Sequence, residues 1–229
     1  MRPLRVTAHL ADGRVASVDG RLALDSMLAY SWMLEHYPDQ VSTNYAATDR
    51  MIEVDLSDAL EKRGEGDDWF WACSLGICDQ RREAIEYMHK RIDQQAAERY
   101  VDFGKRRGRI VTGGGPYKTW RMPIVVRLTR SITWYCVGDE TGIRRLLAPL
   151  THIGKHRASG YGQVAEWAVE PWPEDWSVYG PAGILMRAIP DPAGTEERGI
   201  RPPYWSPRNW RLCRVPEVDE LGRDMARGV

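Results

Sequence analysis

The chain opens with an alternation of apolar and polar residues, and this alternation predicts a β-strand over residues 4–11. Apolar residues then recur at helical spacing, which predicts a helix over residues 24–37. Asp25 in its first turn and Pro38 just beyond its end favour the same limits. The first forty residues therefore predict a strand followed by a helix.

The middle of the chain mixes short apolar runs with charged segments. Residues 69–78 form an apolar run that predicts a buried strand, and residues 80–103 carry a helix-like pattern whose charges lie on a solvated face. Two further runs, 123–129 and 132–137, predict strands joined as a hairpin. A second helix is predicted after the hairpin, and residues 163–169 alternate as a last strand.

The order of these elements predicts the fold class. The tail from residue 170 is too broken by proline to predict regular structure beyond an edge strand. The rest fits an α+β fold, a ferredoxin-like (RRM-like) βαββαβ sheet with a glycine-rich loop and an inserted helical or thumb subdomain. The predicted organisation is a first part of that sheet in 1–60, the insertion with a basic loop in 61–122, its second part in 123–170, and a Trp- and Pro-rich segment packing on the core or on partners in 171–229.

Composition places the chain among globular proteins, since 43% of its 229 residues are hydrophobic and 28% are charged. Lys plus Arg and Asp plus Glu both number 32, so overall charge predicts no class of partner. Four cysteines without metal-ligand spacing predict buried, reduced thiols, and the carboxylates form no metal signature, so we expect neither a metal nor a cofactor. No apolar run is long enough for a membrane span and no leader pattern is visible, so a cytoplasmic protein is expected.

Charge is nevertheless segregated along the chain. The stretch from Phe103 to Gly138 contains eight basic residues and no acidic one. Basic side chains interleaved with aromatic rings suit a phosphate track with stacking platforms, although a solvated loop is the alternative. The predicted contacts in this tract are Arg106, Arg107, Arg109, Lys118 and Arg121 for phosphates, and Tyr117 and Trp120 for bases.

The segment from Gly154 to Gly162 is the strongest candidate for nucleic-acid binding. Its glycines permit positive φ and close backbone approach, and they bracket three potentially cationic side chains, which together suit a polyanion. The alternative is a helix C-cap followed by a β-bulge. The predicted RNA-binding residues of this segment are Gly154, Lys155, His156, Arg157, Gly160, Tyr161 and Gly162.

Catalysis is a second possibility for the same segment. Of the five histidines, only His156 is placed to meet a scissile phosphate, and the sequence shows no partner for it. We therefore expect a binding protein, with an endoribonuclease that uses His156 as the first alternative. A protein-interaction scaffold that contacts its partners through the Trp-rich tail is the second.

Residues 147–164 resemble the glycine-rich loop of the RAMP superfamily of CRISPR-associated proteins, with His152 where many members carry a further glycine. The opening strand with residues 24–30, and the late Arg201-Pro202-Pro203-Tyr204-Trp205, look like the subunit of type IV CRISPR effector complexes that caps the guide RNA at its 5′ end. The resemblance implies a ferredoxin-like fold and a thumb at the basic loop. It also implies a non-catalytic role in antiviral defence, holding the repeat-derived 5′ handle of the guide RNA (crRNA) in a ribonucleoprotein. Other effector subunits, including backbone and large-subunit-like proteins, are implied partners, and the target DNA duplex is a further candidate.

Overall fold

The computed structural model describes residues 1–17, 20–42, 52–79, 82–100 and 112–216. Within these residues the α-helices are α1 (Leu24–His36), α2 (Pro38–Ser42), α3 (Gln94–Tyr100) and α4 (Glu140–Leu147). The strands are β1 (Arg2–Leu10), β2 (Arg14–Ala16), β3 (Lys62–Arg63), β4 (Phe70–Trp71), β5 (Ile77–Cys78), β6 (Arg82–Lys90), β7 (Trp120–Leu128), β8 (Ser131–Gly138), β9 (Val164–Pro171), β10 (Ile189–Pro190), β11 (Glu196–Gly199) and β12 (Trp210–Arg214). None of the described helices has the length and apolar character needed to cross a membrane.

The main core lies on one face of an antiparallel sheet with the strand order β5-β8-β1-β9. Alternate residues of β1 are buried, and Val6 lies opposite Trp134 of β8 and Val169 of β9. Helices α1 and α4 contact each other and share this core through Leu28 and Ile143. The predicted first strand, the helices predicted over residues 24–37 and after residues 132–137, and the predicted strand at residues 163–169 are thereby confirmed.

A second sheet has the strand order β2-β7-β6, and β6 and β7 form a long two-stranded ribbon within it. The ribbon pairs from Arg82 opposite Leu128 to Lys90 opposite Trp120. The helix predicted over residues 80–103 is therefore wrong for its first half, and only α3 in its second half is helical. The cause is a period-two pattern of exposure, because half-buried and exposed residues alternate along β6 from Ala84 to Met88, and Met88 packs against a small core with Ile124.

The two strands of the predicted hairpin exist, but the predicted pairing between them is wrong. Strand β7 pairs with β2 and β6, whereas β8 pairs with β1 and β5. Thr129 and Arg130 carry the chain from one sheet to the other. The Asp79 side chain accepts hydrogen bonds from both of them, from the Thr129 hydroxyl at 2.5 Å and from the Arg130 amide at 2.9 Å. These contacts fix a change of sheet where a tight hairpin turn was expected.

The predicted fold, one ferredoxin-like βαββαβ sheet with an inserted helical subdomain, is wrong as a description of the chain. The described residues form four small antiparallel sheets. The regular structure described within the supposed helical insertion, 61–122, is mostly strand, namely β3, β4, β5, β6 and the start of β7, with α3 as its α-helix. Short strands separated by turns pair locally here, as β3 with β4, so the apolar surface is divided among several sheets.

The C-terminal segment also forms a sheet, β10-β12-β11, so the expectation of no regular structure beyond an edge strand is wrong. A buried arginine joins this segment to the rest of the protein. The Arg187 guanidinium donates to the carbonyls of Trp71, Cys73 (3.0 Å) and Ile200 (2.7 Å). It also lies 3.9 Å from the fully buried Asp25 carboxylate, and burial raises the pKa of Asp25 although Arg187 opposes the shift.

Candidate nucleic-acid interface

The segment Gly154–Gly162, called the glycine loop below, has four residues with positive φ: Gly154 (+78°), His156 (+55°), Gly160 (+86°) and Gly162 (+70°). The loop is tied to β2 at both ends. The Lys155 amide donates to the Ala16 carbonyl at 2.8 Å, and the Gly162 amide donates to the Arg14 carbonyl at 2.9 Å. The glycine loop is therefore attached to the edge of the second sheet and presents its middle outward.

Glycine is required at the two ends of the loop by close backbone approach. A Cβ atom at Gly162 would lie 2.0 Å from the Ile153 carbonyl oxygen, and one at Gly154 would lie 2.8 Å from the Ala16 carbonyl oxygen. The alternative of a helix C-cap at Gly154 is wrong, because α4 ends at Leu147 and is capped at Ala148. The sequence therefore specifies a tightly seated loop at this point of the chain.

The glycine loop and α1 enclose a cavity of about 270 Å³, called the groove below. Its cationic side chains are Lys155 and Arg157, both exposed, and Arg21, which precedes α1 and lies 4.0 Å from Glu196. No carboxylate of the described residues lines it. The groove is thus locally positive in a protein of zero net charge, which suits the phosphates of a nucleic acid.

Sequence reasoning missed two residues of the groove, Arg21 and Tyr30. The Arg157 guanidinium lies over the Tyr30 ring, 4.6 Å from its centroid, so the loop and the helix are in direct contact. One signal was available, because Ser26 and Tyr30 are four residues apart on α1 and therefore share a helix face. Both line the groove.

Tyr161 links the glycine loop to the ribbon. Its hydroxyl donates to the Glu86 carboxylate at 2.6 Å, and Arg14 donates to the same carboxylate at 3.3 Å. The hydrogen bond to Glu86, together with partial burial, raises the pKa of the Tyr161 hydroxyl. His156 packs edge-on against this ring, with 6.4 Å between the ring centroids. The structure therefore gives the Tyr161 side chain a positioning contact in addition to its predicted RNA contact.

The other predicted contacts lie at the far end of the ribbon. Trp120 pairs with Lys90, which lies four residues along β6 from Glu86. This separation corresponds to about 14 Å along the strand from Glu86. Lys118 and Arg121 are exposed there, and the Arg121 guanidinium lies 3.6 Å from the centroid of the Tyr87 ring. Tyr117 is also exposed beside them. The predicted residues thus form two groups, and Arg106, Arg107 and Arg109 lie outside the described residues.

Other chemistry finds little support in the part of the chain that the structure describes. No group of three or more His, Cys, Asp or Glu side chains is placed there to hold a metal ion. Three of the four free thiols are buried, and Cys78 is half-buried. Burial raises the pKa of Cys136 to about 12 and raises the pKa of Cys73 as well, so neither thiol is a reactive thiolate.

Comparison with known families decides which protein class carries this interface. A family model for the CRISPR type IV associated protein Csf3 matches residues 2–216. The chain belongs to this family. It is therefore a type IV CRISPR-associated protein and a subunit of a type IV CRISPR complex, which implies other CRISPR subunits as partners. The type IV assignment predicted from residues 24–30 and 201–205 is confirmed, and no curated protein matches the chain.

Proposed function

We propose that this subunit binds the guide RNA of its type IV CRISPR complex, holding the repeat-derived 5′ handle without cutting it. The observation that carries the proposal is the groove, which is lined by Arg21, Lys155 and Arg157 and by no described carboxylate, although Arg21 lies 4.0 Å from Glu196. Phosphates attract such clusters strongly because neutralising them releases condensed counterions. A handle held there would anchor the complex near the target's recognition motif.

The rigidity of the glycine loop favours binding of a defined strand. Its two ends are fixed by the backbone hydrogen bonds of Lys155 and Gly162 to β2. Side chains between these fixed points are positioned before RNA arrives, so less conformational freedom is lost on binding. The loop therefore combines charge with preorganisation.

The tip of the ribbon supplies a second set of contacts in this proposal. Lys118 and Arg121 are exposed cations and Tyr117 is an exposed ring, all near the end of the ribbon away from Glu86. A single strand that leaves the groove and follows the ribbon would meet charge and aromatic surface again, which is typical of single-strand binding sites.

The surroundings of His156 support binding without cleavage in this proposal. Acid–base cleavage of RNA needs a second group that accepts or donates a proton near the histidine. Tyr161 packs against His156, but its hydroxyl donates a hydrogen bond to Glu86. The pKa of this hydroxyl is raised, so Tyr161 is a poor base. His156 is accordingly assigned to RNA contact.

The test is the salt dependence of repeat-RNA binding by the protein with Lys155→Ala and Arg157→Ala together. Loss of two phosphate contacts should weaken binding. It should also reduce the magnitude of the slope of log affinity against log salt concentration by about 1.4. A matched control is Arg144→Ala with Arg145→Ala, because these exposed arginines already pair with carboxylates on and beside α4. An unchanged slope in the first variant would remove the groove from the interface.

The same RNA tests the absence of cleavage. Incubation of the wild-type protein with repeat RNA should leave the RNA intact. A discrete product that disappears with His156→Ala would contradict the proposal and favour an endoribonuclease.

A further inference from the structure

The segment Arg201–Trp205 turns two of its large side chains into the protein and one outward. Arg201 is buried and donates to the carbonyls of Asp67 (2.7 Å) and Trp69 (3.0 Å). The Tyr204 hydroxyl lies 2.8 Å from each oxygen of the buried Asp25 carboxylate. Trp205, by contrast, is 57% exposed. Two residues therefore fix the segment in the fold, and the third is presented at the surface.

The backbone that carries Trp205 is held on both sides. The Ser206 amide donates to the Pro203 carbonyl at 3.0 Å, and the Trp210 indole donates to the Tyr204 carbonyl at 2.9 Å. The buried Asn209 side chain lies 3.3 Å from the same Pro203 carbonyl oxygen. Trp205 therefore sits on a braced turn, and a ring held in this way loses little freedom when a ligand stacks on it.

Trp205 faces an open cavity of about 600 Å³ that lies beside the groove. The side chains around this cavity are Tyr30, Val41, Arg157 and Trp205. Tyr30 and Arg157 also line the groove, so the two spaces share a wall. An exposed indole, a phenol ring and a guanidinium thus line one cavity beside the groove.

We propose that Trp205 and Tyr30 form a stacking site for a nucleobase of the guide strand, whose neighbouring phosphate lies on Arg157. This site rests on the proposed RNA-binding function and extends it to two residues outside the glycine loop and the ribbon. Every base has a π-face, so stacking here would be tolerant of sequence. Arg157, the cation that this cavity shares with the positive groove, favours a nucleic acid over a protein segment as the occupant.

The experiment compares Trp205→Ala with Trp205→Phe in repeat-RNA binding over a range of salt concentrations. Loss of one stacked base should weaken binding roughly tenfold or more and leave the salt slope unchanged, because no charge is removed. The phenylalanine variant should recover most of the affinity. Tyr179→Ala is the matched control, since Tyr179 is an exposed ring that lines a different cavity with Arg63 and Asp68.

Each outcome separates this site from the proposed function. If the wild-type protein binds no repeat RNA, the proposed function fails and the stacking site fails with it. If the wild-type protein binds RNA and Trp205→Ala binds equally well with an unchanged melting temperature, the stacking site alone is overturned. Loss of a co-purifying CRISPR subunit with unchanged RNA affinity would overturn it as well, and would make Trp205 a protein contact.

Discussion

Two glycines of the glycine loop differ in their surroundings, and alanine at each should separate backbone strain from steric conflict. Gly160 and Gly162 both have positive φ, but a Cβ at Gly160 meets nothing within 4 Å. A Cβ at Gly162 would lie 2.0 Å from the Ile153 carbonyl oxygen, where real Cβ atoms essentially never approach within 3.0 Å. The first variant therefore tests conformational cost alone, and the second adds a displacement of the main chain.

The left-handed conformation costs about 1–2 kcal/mol for an alanine, and part of this is offset because alanine restricts the unfolded chain. Gly160→Ala should therefore lower the free energy of unfolding by about 1 kcal/mol. In Gly162→Ala the backbones must also separate, which weakens two hydrogen bonds. The Ile153 amide donates one to the Gly162 carbonyl (2.8 Å), and the Gly162 amide donates the other to the Arg14 carbonyl (2.9 Å). At about 1 kcal/mol each, these losses bring the total to about 3 kcal/mol.

Thermal unfolding followed by circular dichroism measures the difference. For a chain of this size, 1 kcal/mol corresponds to about 2–4 °C in melting temperature. Gly160→Ala should melt about 2–4 °C below the wild-type protein, and Gly162→Ala about 6–12 °C below it. Equal shifts for the two variants would refute the reasoning, because they would mean that the close approach to Ile153 has no energetic weight.

Two further predictions concern stability. Arg187→Ala should cost about 3–5 kcal/mol, because it leaves the Asp25 carboxylate buried without its cation, and the midpoint of urea unfolding should fall accordingly. Burial alone would raise the pKa of Asp175, but contacts from Ser177 and Arg63 lower it below its usual value. Asp175 therefore stabilises the fold above the pKa it has in the unfolded chain, and this contribution is lost as pH falls through the lowered pKa. The difference in melting temperature between wild type and Asp175→Asn should be constant above about pH 5 and disappear toward about pH 2, whereas a difference that persists in acid would contradict the assignment.

Sequence patterns predicted the elements whose apolar residues all face one core. Helix α1 was predicted over 24–37 and observed over Leu24–His36, because its buried residues follow one helical face. The ribbon was misread because Ile85 is 62% exposed and Tyr87 is 44% exposed on its solvent side. Apolar residues on both faces remove the alternation that indicates a strand, and the remaining spacing resembles a helix.

The candidate site was only partly predictable for a different reason. The glycine loop was visible because its glycines and cations are contiguous in the chain. Arg21, Tyr30 and Trp205 line the cavities beside it from segments that lie far apart in sequence, and no local pattern encodes this arrangement. The same holds for sheet partners, since β7 was adjacent to β8 in sequence but pairs with β6.

The position of β1 between β8 and β9 has a consequence for biosynthesis. Strand β1 pairs with residues 131–138 on one side and 164–171 on the other. Its apolar face thus lacks its partners until residue 171 of 229 has been translated. Such long-range pairing folds slowly and leaves apolar strand surface exposed meanwhile. Strand β1 is therefore a segment on which chaperones would act during synthesis.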